Sequence, residues 1–151
     1  MKTFRYRDEL ALHKPLAEVF DFFARAANLE RLTPDWLRFE ILTPGPIEMK
    51  VGALIDYRIK WRSIPMRWRT EIEIWDPPHR FVDRQLSGPY RLWRHEHLFE
   101  ERGNGTEVID QVEYAPFGGA IVNRLAVARD VRRIFNYRRQ TLQQIFHRTS
   151  I

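Results

Sequence analysis

Hydrophobic and polar residues alternate along much of this chain, and a period of two indicates half-buried β-strands. The first alternating segment covers 4–12. Further segments of this kind lie near 37–43, 53–62, 67–75, 80–87, 90–99 and 106–114. Clusters of proline and glycine separate them, and such short turns favour antiparallel neighbours. The pattern therefore predicts a seven-stranded antiparallel sheet.

Helical spacing replaces the alternation in two regions. Pro15 can begin a helix because its missing N–H costs nothing there, and Asn28 is a candidate N-cap for a second short helix. After Phe117, apolar residues recur at helical spacing from Ile121 to Phe146. They predict one amphipathic helix of about 25–30 residues. The element order is thus one strand, two short helices, six strands and a long helix.

This order predicts an α+β fold in which the curved sheet wraps around the C-terminal helix, with 1–151 as a single domain. A seven-stranded antiparallel sheet twists and curls. One helix cannot fill its concave side, so a cavity remains, and such cavities bind small ligands.

Composition narrows the function classes. Hydrophobic residues make up 44% and charged residues 30%, which is typical of a soluble globular protein. The absence of cysteine excludes disulfides and thiolate metal sites. The first residues lack an apolar signal region and no run is long enough to cross a bilayer, so we expect a cytoplasmic protein. The net charge of +5 comes mainly from scattered arginines, which favours solubility over a nucleic-acid partner.

Several motifs resemble the SRPBCC superfamily, which includes START domains and Bet v 1-like proteins. They are TPDWLRF at 33–39, WDPPHRFVDRQ at 75–85, GPYRLWRHEHLF at 88–99, GTEVIDQVEYAPFG at 105–118 and FNYR at 135–138. The closest resemblance is to the bacterial polyketide cyclase/dehydrase-like group. It implies a helix-grip fold over essentially the whole chain. It does not fix an activity, because one scaffold hosts carriers, sensors and enzymes.

Strand parity predicts which side chains face the cavity. Trp68, Thr70, Ile72 and Ile74 share an inner face, as do Trp93, His95, His97 and Phe99. The hairpins place Asp83 opposite His95, and His95 or His97 opposite Asp110. The predicted cavity wall comprises Tyr57, Trp61, Trp68, Gln85, Trp93, His95, His97, Asp110, Tyr114, Phe135 and Arg138.

The row Asp83–His95–Asp110 allows two interpretations. It can supply a general acid or base, with these three residues as candidate catalytic groups, or it can be a satisfied polar network that shapes the cavity. His95 and His97 with Asp110 also form an open three-ligand set of the kind that suits zinc, although two histidines at this spacing are common. We expect neither a metal nor a cofactor.

Arg138 is at the border of the apolar stripe of the long helix. It can pair with Asp83 or Asp110 and plug the cavity, or it can hold a ligand carboxylate. Its head can also reach water while its stem covers the core. Near the expected mouth, Trp36, Leu37 and Phe117 are candidate portal residues.

Three functions remain open at this point. The first is binding of a small hydrophobic ligand such as a lipid, quinone or polyketide. The second is a cyclase- or dehydratase-type enzyme. The third is a basic interaction module for anionic membrane or nucleic acid, formed by Arg58, Lys60, Arg62, Arg67 and Arg69. We favour the first, with no nucleic-acid partner, no stable membrane insertion and at most transient surface contact. The sequence leaves the oligomeric state open.

Overall fold

The computed structural model describes residues 1–147. Its strands are β1 (Phe4–Leu12), β2 (Glu40–Ile41), β3 (Leu54–Trp61), β4 (Ile64–Asp76), β5 (Arg80–Ser87), β6 (Tyr90–Arg102) and β7 (Gly105–Pro116). Helices α1 (Leu16–Phe23) and α2 (Asn28–Leu32) follow β1, and a 3-10 turn covers Asp35–Leu37. The C-terminal helix consists of α3 (Gly119–Val122), a π-helical turn (Asn123–Val127) and α4 (Ala128–His147).

The seven strands form one antiparallel sheet in the order β1-β7-β6-β5-β4-β3-β2. This sheet, with the long C-terminal helix and the two short helices after β1, confirms the predicted helix-grip fold. The second strand is much shorter than the predicted segment 37–43. There Arg38 has a positive φ of 48°, which ends the 3-10 turn and leaves two residues for pairing.

Two predictions about β4 are corrected, and a third concerns α2. Strand β4 begins at Ile64, because Arg62 and Ser63 both have positive φ and form the two-residue turn that matches strand twist. A register shift between Ile72 and Ile74 lets Trp75, rather than Ile74, pack against Phe20 and Phe81.

Asn28 does not cap α2. It is the first residue of that helix, and its side-chain amide donates to the carbonyl of Phe22, which fastens α2 to the end of α1.

Two apolar clusters hold the helices on the sheet. Phe20 and Phe23 of α1 pack edge-on against Phe99, Phe81 of β5 stacks on it, and Leu142 and Phe146 of α4 lie beside them. A second cluster joins the C-terminal helix to β6 and β7 and contains Trp93, Val112, Tyr114, Val127, Val131 and Phe135. The helix therefore covers the β1–β7 half of the concave face and leaves space over β3 to β6.

Candidate ligand-binding cavity

A cavity of about 380 Å³ occupies the space over β3 to β6. Its floor is the concave face of the sheet, and α2, the segment after it and the C-terminal helix close the sides. Most lining groups are aliphatic or aromatic, including Leu29, Leu37, Phe39, Ile55, Ile59 and Ile134. This size and lining are those of small-molecule sites.

Six predicted wall residues line this cavity, namely Tyr57, Trp61, Trp68, Trp93, His95 and His97. Asp83, predicted as a candidate acid or base, lines it too.

Five other predicted wall residues do not line the cavity. The Gln85 side chain bonds the backbone N–H and C=O of Tyr90 across the β5–β6 turn. The other four residues, on β7 and α4, lie where the helix packs against the sheet. The Tyr114 hydroxyl donates to Asn123, while Phe135, Asp110 and Arg138 lie behind the histidines.

The three candidate portal residues lie in different places relative to the cavity. Leu37 and Phe117 line the cavity, whereas Trp36 does not. The Trp36 ring packs against Tyr137 of α4 and lies under the guanidinium of Arg133, 4.8 Å away. The ring therefore fastens the 3-10 turn to α4, and it is not part of the cavity rim.

The sequence reasoning missed part of the wall. Phe39 and Met49 lie in the irregular stretch between β2 and β3, where no periodicity indicates a facing direction. Strand parity places Thr70 and Ile72 on the inner face of the sheet, and both line the cavity.

A buried polar cluster forms one part of the wall. The register prediction is confirmed: Asp83 pairs with His95 across β5–β6, and His97 with Asp110 across β6–β7. The side chains, however, bond diagonally. His95 Nε2 lies 2.7 Å from Asp110 Oδ1, and His97 Nε2 lies 2.6 Å from Asp83 Oδ2. The two imidazoles stack with their centroids 3.7 Å apart.

Arg138 connects the two pairs from behind. It donates to Asp110 Oδ1 at 3.2 Å and to His97 Nδ1 at 3.3 Å. Because a guanidinium can only donate, Nδ1 of His97 carries a lone pair and the ring proton is on Nε2, facing Asp83. Arg138 does not line the cavity, and its guanidinium is engaged by Asp110 and His97 behind the wall.

Burial and this arrangement shift the pKa values in different directions. Burial raises the pKa of Asp83, and Asp110 adds to the rise against the opposing effects of His95 and Arg138. Burial, His95 and Arg138 hold the pKa of His97 well below its usual 6.5. Burial acts to raise the pKa of Asp110, but Arg138 and the hydrogen bond from His95 outweigh it and lower that pKa.

Asp83, His95 and His97 have potential ligand atoms within 4.8 Å of one another. This set replaces the predicted set with Asp110, whose Oδ1 already contacts His95 and Arg138. Both nitrogens of His97 are occupied, and the Arg138 cation lies against one of them. These contacts disfavour a bound cation and fit a hydrogen-bonded network better.

Neutral polar groups lie on the β3–β4 side of the wall. The Nε1–H of Trp68 and the hydroxyl of Thr70 are buried without a hydrogen bond of standard geometry within the described residues. Burial raises the pKa of the neighbouring Tyr57 hydroxyl far above its usual value, with the charge of Asp83 adding to the rise. Tyr57 therefore stays protonated and is available as a donor.

One contact ties the sheet to the helix at the rim of the cavity. Trp61, at the end of β3, donates its Nε1–H to Asp130 Oδ2 of α4 at 3.0 Å, and both residues line the cavity. Arg62 adds an ion pair to the same carboxylate at 3.8 Å.

The basic hairpin predicted as a possible interaction surface is partly neutralised. Asp56 accepts two hydrogen bonds from Arg69, at 2.8 and 3.1 Å. Arg58 lies opposite Arg67 across the β3–β4 pair. Within residues 1–147, no helix is long and apolar enough to cross a membrane.

The fold and the cavity define a helix-grip domain with an internal, mainly apolar chamber. A family model described as polyketide cyclase/dehydrase and lipid transport matches residues 12–139. The chain belongs to this family, which confirms the resemblance indicated by its motifs. Family and fold are those of domains that bind hydrophobic ligands.

Solved structures share the fold at low sequence identity. Protein CV1439 from Chromobacterium violaceum has a TM-score of 0.75 and 12% identity, over 96% of this chain and 98% of its own. Protein Ms6760 from Mycobacterium smegmatis has a TM-score of 0.71 and 14% identity, over 97% and 92%.

A major latex-like protein from Panax ginseng has a TM-score of 0.69 and 11% identity, over 95% of this chain and 97% of its own. No curated protein matches the sequence significantly. These similarities establish the fold, and at this level of identity they do not indicate an activity.

Proposed function

We propose that this protein binds a small, largely apolar molecule in the cavity over β3 to β6. The observation that carries the proposal is the cavity itself, about 380 Å³ with mainly aliphatic and aromatic walls. Apolar burial supplies the affinity, and the indole and phenol rings of the wall can stack on a flat or isoprenoid ligand.

Polar groups at two sides of the cavity would orient the ligand. Asp83 and His95 lie on one side, and the hydroxyl of Tyr57 lies on the other with Thr70 and Trp68. A ligand with an oxygen substituent can accept from the neutral donors, whereas a pure hydrocarbon leaves them unpaired. The expected ligands therefore include lipids, quinones and polyketides with at least one carbonyl or hydroxyl.

The test is native mass spectrometry of the purified protein, followed by thermal shift across a panel of fatty acids, quinones and flat polyphenols. We expect a bound mass or a raised Tm for at least one class, because a ligand that binds only the folded state stabilises it. A bound species would also be extracted and identified.

A cavity-filling variant makes this test specific. Ala26 is buried and lines the cavity, so Ala26→Leu should reduce ligand binding. Ala11 is exposed on β1, so Ala11→Leu adds the same atoms elsewhere and should leave binding unchanged. Equal binding by both variants, or no ligand for the wild type, would contradict the proposal.

Proton transfer on a bound ligand is the second candidate function. It is favoured by one observation, the Asp83 carboxyl, which is partly buried on the cavity wall, contacts His97 Nε2 at 2.6 Å and has a raised pKa. A carboxyl with a raised pKa is a stronger base than an ordinary one and can exchange a proton with a bound ligand.

Kemp elimination of 5-nitrobenzisoxazole, an aromatic probe that reacts by loss of one proton, would test this candidate. The wild type should exceed the background rate, Asp83→Asn should return to it, and the exposed-residue control Asp76→Asn should match the wild type. A wild-type rate at background, or equal to Asp83→Asn, would count against it.

A further inference from the structure

The start of the C-terminal helix exposes a row of large apolar side chains. Phe117, Ile121 and Leu125 have 58%, 72% and 73% of their surface exposed. Ile121 and Leu125 are four residues apart in this helix and are therefore neighbours on one face, while Phe117 lies in the turn between β7 and the helix. Phe117 also lines the cavity, whereas Ile121 and Leu125 do not. The row therefore begins at the cavity mouth and extends away from it over the surface.

The β3–β4 hairpin extends this surface across the mouth. The hydrogen bond from Trp61 to Asp130 and the ion pair from Arg62 hold the hairpin tip beside the helix. Ile64, at that tip, is 52% exposed. The mouth is thus flanked by apolar side chains from two separate parts of the chain.

Arginines accompany these apolar groups. Arg62, Arg91 and Arg124 are all exposed, and the guanidinium of Arg91 lies 5.9 Å from the ring centre of Phe117. The segment 115–130 contains one acidic residue, Asp130, and Trp61 and Arg62 already contact its carboxylate. The surface around the mouth is therefore both apolar and cationic.

We propose that this mouth surface, formed by Phe117, Ile121 and Leu125 with Ile64 and the arginines around them, docks on an anionic membrane. Apolar side chains that enter the headgroup boundary and arginines that meet anionic lipids are the two components of interfacial binding. The proposal rests on the proposed ligand-binding function, because docking would set the cavity mouth against the bilayer as a source or acceptor of the ligand.

A second copy of the chain fits the same surface less well. A twofold dimer brings two copies of the same cationic patch together. Like charges brought together in this way oppose association. An anionic lipid surface instead complements both components.

Co-sedimentation with vesicles tests the proposal. The probes are vesicles of phosphatidylcholine alone and of phosphatidylcholine with about one third phosphatidylglycerol. We expect binding to the anionic vesicles, weaker binding to the neutral ones, and loss of binding as salt screens the charges. Arg91→Gln and Arg124→Gln should each weaken binding about fivefold.

The decisive variant is Ile121→Ser/Leu125→Ser, which should weaken vesicle binding about tenfold or more. Its matched control is Val51→Ser/Leu54→Ser. Val51 and Leu54 are 64% and 44% exposed, and Leu54 begins β3, at the other end of that strand from Trp61. Thermal unfolding of both variants checks that they fold.

The outcomes separate docking from ligand binding. No binding by the wild type to anionic vesicles, or equal loss in both double variants, would overturn the docking proposal. So would a wild-type dimer that Ile121→Ser/Leu125→Ser converts to monomer in sedimentation velocity. Ligand-induced thermal shifts in vesicle-free buffer report on the cavity alone, and the decisive variant should retain them.

Discussion

Arg138 of α4 donates to Asp110 of β7 at 3.2 Å, and both side chains are buried behind the histidines of the cavity wall. The pair connects the C-terminal helix to the sheet and also holds the polar cluster in place, since Arg138 contacts His97 as well. Its position explains how charged groups can be buried next to an apolar cavity without entering it.

Removal of this arginine should be costly. Arg138→Met leaves the Asp110 carboxylate buried with only the histidines as partners, and loss of one member of a buried pair costs about 3–5 kcal/mol. Urea unfolding of Arg138→Met measures the loss.

The double variant Arg138→Met/Asp110→Asn gives the matched comparison. Because it removes both charges, it should be less destabilised than the sum of the single variants by about 1 kcal/mol or more. Additive losses would show that the two side chains do not interact as the structure indicates.

Acid should weaken the fold through His97. The pKa of His97 lies well below 6.5 in the folded protein, mainly because of burial, so below about pH 6.5 the unfolded chain binds more protons than the folded one. The free energy of unfolding should therefore fall as the pH decreases from 6.5, by at most about 1.4 kcal/mol per pH unit. Urea titrations between pH 7.5 and 5 measure this slope.

His97→Gln should show a smaller slope over the same range, because it lacks the titrating ring. Asp83 acts in the opposite direction, since its raised pKa favours the folded state as it takes up a proton. Asp83 is present in both proteins, so the difference between the two slopes reports the loss of the His97 ring together with its contact to Asp83. Parallel curves for the two proteins would contradict the buried, neutral state of this histidine.

The tie between Trp61 and Asp130 should control exchange at the mouth. Trp61→Phe keeps an aromatic ring but removes the N–H that donates to Asp130. With that hydrogen bond lost, we expect the apolar fluorescent probe 8-anilinonaphthalene-1-sulfonate to dissociate several times faster, with a stability loss of only about 0.5–1.5 kcal/mol. Stopped-flow displacement measures the rate.

Trp36→Phe is the matched control for that experiment. Trp36 packs on Tyr137 and does not line the cavity, so the same chemical change there should leave the dissociation rate near the wild-type value. Equal rates for all three proteins would show that the contact does not limit exchange.

Two leucines allow the cavity to be tested through stability alone. Leu142 is fully buried in the cluster around Phe99, so Leu142→Ala should cost about 3–5 kcal/mol. Leu37 lines the cavity and already lacks partner atoms on one side, so Leu37→Ala should cost less, about 2 kcal/mol. Equal losses in urea unfolding would indicate that the space beside Leu37 is filled.

The sequence predicted the sheet, its register and the inward position of His95 and His97, because alternation and hairpin turns determine parity. It could not predict that the aspartates bond diagonally, since side-chain rotamers decide which neighbour an imidazole reaches. It also placed Tyr114 and Phe135 in the cavity. Periodicity shows which face is buried, but it does not show whether a helix or an empty space covers that face.

The central claim, that an apolar ligand occupies the cavity over β3 to β6, is tested most directly by the indole N–H signals of the five tryptophans. Trp61, Trp68 and Trp93 line the cavity, whereas Trp75 packs in the core against Phe20. In a ¹H–¹⁵N titration with 8-anilinonaphthalene-1-sulfonate, the three cavity signals should shift and that of Trp75 should stay in place. Unchanged cavity signals, or equal shifts for all five, would contradict the account.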